Sequence, residues 1–154
     1  MRFNVRLVAF LAFQLVPLSG FAQMPPTDAD LKSAYCLTTL RLQVTALRET
    51  AAGAANPDVK ASINNFTDGV QNDINRIASY LIPKTYHDVH GLLAASARAD
   101  ADNAAAKGQQ LLCAQRCGPA DVSPKWLSCA RTCTSEQPAI ARIEACYNVN
   151  WLPF

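Results

Sequence analysis

The sequence predicts an all-α fold, an antiparallel bundle of four to five helices with a disulfide-stapled C-terminal hairpin. Apolar residues recur at helical spacings of three and four over most of the chain. No run alternates apolar and polar residues as a half-buried strand does, and the Asp68-Gly69 pair falls inside a helical repeat. Four of the six cysteines form two C-x-x-x-C pairs near the C-terminus. Helices with such short connections pack as antiparallel neighbours.

Capping residues mark the first two long helices. Thr27 can cap a helix that ends near Gly53. Asn56 caps the second helix, with Pro57 at its first position, and Pro83 ends it. We expect one apolar stripe of each helix to be buried. The stripe is Leu37, Leu40, Val44, Leu47 and Ala51 on the first helix, and Val59, Ile63, Phe66, Val70, Ile74, Ile77 and Leu81 on the second.

A third, alanine-rich helix is predicted from a capping-box-like start at Thr85 and Asp88 to a stop at Gly118. Gly91 and Gly108 each cost about 1 kcal/mol relative to alanine, so a break at either glycine is an alternative. One face carries small residues between two leucines, and we expect a neighbouring helix to approach closely along it. That face is Leu93, Ala97, Ala101, Ala104, Gly108 and Leu112.

Two short helices and an aromatic tail complete the chain. Ser123-Pro124 begins one helix, and another runs from about Pro138. Aromatic side chains in this region are expected to cover the core of the bundle, with a partner surface as the alternative. They are Trp126, Trp151 and Phe154.

The N-terminus reads as a cleaved secretory signal peptide over residues 1–22. Arg2 and Arg6 precede a twelve-residue apolar run, and Ala22 ends a small-residue site that would be cut before Gln23. A membrane anchor is the weaker alternative, because a span needs about 20 apolar residues. Residues 23–154 would then form a single helical domain with no membrane span, exported and most consistent with the periplasm.

The charge balance argues against a nucleic-acid partner. Without the two arginines of the signal peptide, the chain has 12 basic and 12 acidic residues, scattered singly. A protein that binds the phosphate backbone needs a basic face.

The cysteines predict structural disulfides rather than a haem attachment site or a redox-active pair. An even number in an exported protein favours a disulfide framework. Covalent haem needs C-x-x-C-H, yet Gly118 follows Cys117 and Thr134 follows Cys133. A thioredoxin-type pair has shorter spacing and lies at a helix N-terminus, whereas Cys113 and Cys117 would end a helix, where the dipole opposes a thiolate.

Helix geometry favours pairing between the two C-x-x-x-C segments. Within one segment the Cβ atoms would be about 5–6 Å apart, too far for a disulfide. Two antiparallel helices allow a nested pattern, with Cys117–Cys129 inside and Cys113–Cys133 outside. The chief alternative contains Cys113–Cys129. Cys36 and Cys146 remain, and their pairing would tie the first helix to the last.

Residues 113–133, with their two C-x-x-x-C pairs, resemble the twin C-x-x-x-C helical hairpins of small mitochondrial intermembrane-space chaperones. The resemblance implies the same nested pairing. Three long segments precede the hairpin in this chain, so the partners and function of that family are not implied.

The only other candidate site is the histidine pair His87 and His90, which would share a helix face and could supply two ligands to Zn or Cu. Solvated or capping histidines are the preferred interpretation. No P-loop, zinc-protease or serine-hydrolase motif is present. We therefore expect an exported, non-enzymatic binding or scaffold protein without a cofactor, whose partner is an unknown envelope protein or small ligand. A thiol–disulfide redox factor and a metal-handling protein are the alternatives.

Overall fold

The computed structural model describes residues 24–84, 88–118 and 123–152. The expected signal peptide (1–22) and its cleavage site lie outside the described residues. So do Thr85, His87 and Phe154.

The predicted all-α bundle is confirmed. Its elements are α1 (Asp28–Gly53), α2 (Pro57–Leu81), α3 (Val89–Cys117), α4 (Pro124–Ser135), α5 (Pro138–Glu144) and a 3-10 turn (Val149–Trp151). The described ranges contain no β-strand. Within those ranges, no helix has the length and apolar character needed to cross a bilayer.

Side-chain caps define where the helices begin. The backbone N–H of Thr27 donates to Asp30 Oδ2 at 2.9 Å, and the N–H of Asp30 donates back to Thr27 Oγ1 at 3.3 Å. This reciprocal pair satisfies two backbone donors that a helix start leaves open. At the starts of α2 and α4, the side chains of Asn56 and Ser123 accept hydrogen bonds from backbone N–H groups, and a proline follows each cap at the first helical position.

The start of α3 differs from the prediction. Asp88 is itself the N-cap and accepts hydrogen bonds from the N–H groups of His90 and Gly91, at 3.0 and 3.2 Å. The helix runs unbroken through both glycines. At Gly91 a Cβ atom would lie 3.3 Å from side-chain atoms of Pro26 and Leu31, so glycine lets the segment before α1 pack against α3.

The core lies around α1, which packs against α2 on one side and α3 on the other. Leu40 and Ile77 are fully buried at its centre. The residues after α5 cover part of this core. Val149 and Leu152 belong to the same apolar cluster, and Trp151 packs against it. The full buried cluster is Cys36, Leu40, Val44, Val70, Ile74, Ile77, Cys146, Val149 and Leu152.

The predicted stripe of α2 is only partly buried. Val70, Ile74 and Ile77 face the core, but Val59 and Phe66 are 48% and 52% exposed. Phe66 instead contacts the ring of Tyr147, with 6.0 Å between the ring centroids.

The predicted contact face of α3 was wrong. Leu93 and Leu112 are 63% and 64% exposed, and the small residues between them are exposed as well. The helix is buried along the opposite side, through Ala99, Asp102, Asn103, Ala106 and Cys113. The physical reason is the cysteines: Cys113 must reach α4, and this requirement sets which side of α3 turns inward.

Candidate functional site

The C-terminal hairpin has the nested pairing that the spacing predicted. Cys113 bonds to Cys133 and Cys117 bonds to Cys129, with Cα–Cα distances of 5.7 and 5.8 Å. Gly118 ends α3 with a positive φ of 80°, a conformation that glycine adopts without strain. Its carbonyl accepts a hydrogen bond from Trp126 Nε1 at 3.2 Å, which ties the connection to the start of α4.

The third disulfide joins Cys36 of α1 to Cys146 after α5, 110 residues apart in sequence. Both cysteines lie inside the apolar cluster, at 1% and 0% exposure. This bond fastens the C-terminal segment directly to the central helix.

The cysteines are therefore all paired, and no free thiol remains. A disulfide sulfur is a poor metal ligand, because zinc and copper bind the thiolate. Cys117–Cys129 is the least buried of the three bonds, since both of its cysteines are only partly covered. Cys117 lies at the C-terminal end of α3, where the helix dipole disfavours the thiolate that redox exchange through this bond needs.

His90 lies on the exposed first turn of α3. Its predicted companion His87 lies outside the described ranges, so the pairing of the two histidines stays a prediction. Among residues 24–84, 88–118 and 123–152, no group of three or more histidine, cysteine, aspartate or glutamate side chains could hold a metal ion.

A buried carboxylate joins three helices of the bundle. Asp102 of α3 is 8% exposed. Its two oxygens accept hydrogen bonds from Arg142 of α5, at 2.6 and 2.7 Å. The hydroxyl of Tyr35 on α1 donates to the same carboxylate at 2.9 Å. This arrangement satisfies the carboxylate from two sides and ties α1, α3 and α5 together.

These contacts determine the charge of the cluster. The hydrogen bonds from Arg142 outweigh desolvation and hold the pKa of Asp102 below its ordinary value. Burial, together with the neighbouring Asp102, raises the pKa of Tyr35. The carboxylate therefore stays ionised and the phenol stays protonated at neutral pH. No motif in the sequence singles out Asp102, because its partners Tyr35 and Arg142 are distant from it along the chain.

The next residue of α3, Asn103, extends this polar contact toward α1. Asn103 donates to the carbonyl oxygen of Ala99 at 2.8 Å and to Thr39 Oγ1 at 3.4 Å. It accepts from Gln43 Nε2 at 2.8 Å. The interface between α1 and α3 is thus held by specific hydrogen bonds, which fix the relative register of the two helices.

A second buried carboxylate fastens the loop after α2. Asp30 is 3% exposed, and Lys84 Nζ lies 2.5 Å from its Oδ1. Desolvation alone would raise the pKa of Asp30, but the hydrogen bonds from Lys84 and Thr27 are stronger and hold the pKa far below its ordinary value. Lys84 also lies 3.5 Å from the ring centroid of Tyr80.

A small cavity of about 210 Å³ lies between α1, α3 and the end of α5. Three cations line it, namely Lys32, Arg98 and Arg142. Arg142 is already bound to Asp102, and Lys32 Nζ lies 4.5 Å above the ring of Trp151. Because Arg142 and Lys32 already have partners within the chain, the cavity is not assigned as an anion-binding site.

Comparisons with protein-family models, with curated proteins and with solved structures found no match to this chain.

Proposed function

We propose that this chain is an exported, non-enzymatic helical binding or scaffold protein of the cell envelope, acting in the periplasm. The observation that carries the proposal is the set of three disulfides, of which one ties α1 to the segment after α5 and two tie α3 to α4. Such a framework is typical of proteins that work in an oxidising compartment.

The polar clusters support a structural role for the interior. The carboxylates with the clearest pKa shifts are Asp30 and Asp102, and each is bound by a cation and by further hydrogen-bond donors from this chain. A catalytic acid or base needs a reactive group with access to substrate. Here the perturbed groups hold helices together instead.

The compartment is tested by fractionation of native cells, followed by intact-mass analysis of the protein. We expect a periplasmic chain that begins at Gln23 and gives no thiol signal under denaturing conditions. A cytoplasmic chain, or two or more reactive thiols, would overturn the proposal and favour redox or metal chemistry.

The two alternatives have their own assays. A thiol–disulfide factor would accelerate insulin reduction by dithiothreitol, and a Cys117→Ala/Cys129→Ala variant would lose that activity; we expect no acceleration by either protein. A metal-handling protein would retain Zn or Cu in equilibrium dialysis. Metal that is bound by the parent but lost in His87→Ala/His90→Ala would contradict our assignment.

Binding is tested with the folded protein as bait for the native envelope fraction. The matched control is the same chain after reduction and alkylation, which has the same sequence but lacks the disulfide framework. A component that is retained by the folded bait and released by the control supports a binding role. Equal retention by both baits would contradict it.

A further inference from the structure

The outer face of α3 is apolar and uncovered along about five turns of the helix. We define it by Leu93, Ala97, Ala101, Ala104, Gly108 and Leu112, all of which are exposed. The leucines at its two ends are 63% and 64% exposed, and the adjacent Leu111 is 66% exposed. The inward side of the same helix is occupied by α1, α4 and α5, so this face is directed away from the rest of the protein.

The order of residues on the outer face is the same in both directions. Starting from either leucine, the intervals are four, four, three, four and four residues. A second copy of α3 laid antiparallel would therefore place Leu93 opposite Leu112 of the other copy. Ala97 would lie opposite Gly108, and Ala101 opposite Ala104. A symmetric dimer needs a surface that complements itself in this manner, whereas an unrelated partner does not.

Residue size along the outer face suits two closely packed helices. Alanine and glycine occupy the middle, where a Cβ atom at Gly108 would meet nothing within 4 Å in the single chain. Small residues there let helix axes approach to about 8 Å, the short end of the usual range. The leucines would cover the two ends of the contact, which spans about 29 Å along α3.

Two opposite charges lie along one edge of the outer face, and they can pair only between two copies of the chain. Asp100 and Lys107 lie on the same edge and are exposed. In the part of the chain that the structure describes, no ion pair or side-chain hydrogen bond is found for either residue. They are seven residues apart, about 10.5 Å along one helix, too far to pair within a chain. In the antiparallel arrangement, Asp100 of each copy lies within about 3 Å along the axis of Lys107 of the other.

We propose that two copies of this chain associate through the outer faces of α3, antiparallel, about a two-fold axis that passes between Ala101 and Ala104. The inference deepens the proposed scaffold role, on which it rests, by naming the surface and the partner. The contact is isologous, with the same face of each copy buried.

Sedimentation velocity of the exported protein, from about 1 to 100 µM, tests the proposal. We expect the parent to form a reversible dimer. Ala101→Glu should weaken the dimer by about 100-fold or more, because two glutamates would meet near the axis in an apolar contact. Ala61→Glu on the exposed side of α2 is the matched control and should dimerise like the parent. Circular dichroism should show the same helicity for both variants.

Exchange of the edge charges tests the alignment. Asp100→Lys and Lys107→Asp should each weaken the dimer, and the two substitutions together should restore it. A parent that stays monomeric, an Ala101→Glu dimer of parental strength, or a double variant that stays weak would each overturn the proposal. A monomeric parent that is exported with three intact disulfides would leave the proposed function standing. A cytoplasmic protein with free thiols that still dimerises would instead contradict the proposed function alone.

Discussion

The three disulfides should contribute unequally to stability, and the difference follows from where they lie along the chain. We consider two variants that leave no free thiol, Cys36→Ala/Cys146→Ala and Cys117→Ala/Cys129→Ala. The first removes the bond between the central helix and the C-terminal segment. The second removes the inner bond of the hairpin and leaves Cys113–Cys133 in place.

The magnitudes come from the length of loop that each bond closes in the unfolded chain. Cys36 and Cys146 are 110 residues apart, but Cys113–Cys133 shortens this path by about 20. A loop of about 90 residues corresponds to about 4.6 kcal/mol at 25 °C. The inner bond closes only a ring of about nine residues once the outer bond exists, and this corresponds to about 2.6 kcal/mol. Burial of Cys36 and Cys146 in the core adds to the first value.

Urea unfolding followed by far-UV circular dichroism, with linear extrapolation to water, measures both losses. We expect the Cys36→Ala/Cys146→Ala variant to be less stable than the Cys117→Ala/Cys129→Ala variant by about 2 kcal/mol. The urea midpoints of both variants should lie below that of the parent. Equal losses, or a larger loss from the hairpin variant, would refute the loop-length argument.

The remaining predictions concern single residues. The pKa of Asp102 is lower in the folded state than in the unfolded chain. The ionised carboxylate therefore adds its full amount to the free energy of unfolding above the unfolded pKa, and this stabilisation is lost as the pH falls below about 4. Acid titration of stability should therefore be steeper for the parent than for Asp102→Asn. Leu40→Ala should cost about 3 kcal/mol in urea unfolding because Leu40 is fully buried, whereas Val59→Ala, 48% exposed, should cost less than about 0.5 kcal/mol. Gly69→Ala should raise stability by about 0.5–1 kcal/mol, since its Cβ meets nothing within 4 Å; Gly91→Ala should gain less because its Cβ meets three side chains at 3.3 Å. A larger gain at Gly91 than at Gly69 in thermal melts would contradict this reasoning.

Local chemistry explains why helix boundaries and disulfides were predictable. Thr27, Asn56 and Ser123 cap helices in the structure as the sequence indicated, because a capping side chain acts on a backbone only two or three residues away. The nested cysteine pairs follow from helix rise and disulfide length, which do not depend on the rest of the fold.

The buried faces were less predictable because they depend on which helices are neighbours. In α1, the predicted stripe of Leu40 and Val44 faces α2, and a second buried face with Thr39 contacts α3 through polar groups. Hydrophobic periodicity cannot identify a polar buried face. In α2, Phe66 fits the apolar stripe but is 52% exposed, and its ring contacts the partly exposed Tyr147 after α5.

The inward side of α3 could have been derived from its cysteines. Cys113 must face α4, and positions seven, eleven and fourteen residues earlier lie on the same side of a helix. These are Ala106, Asp102 and Ala99, all of which are buried. Apolar composition favoured the opposite side, because Asp102 and Asn103 are polar. In the folded protein Tyr35 and Arg142 bind Asp102. Thr39 and Gln43 bind Asn103. A covalent constraint therefore predicts the orientation of this helix better than its hydrophobicity does. Since the bundle buries the polar side of α3, the apolar side that composition selected remains available for a second copy of the chain.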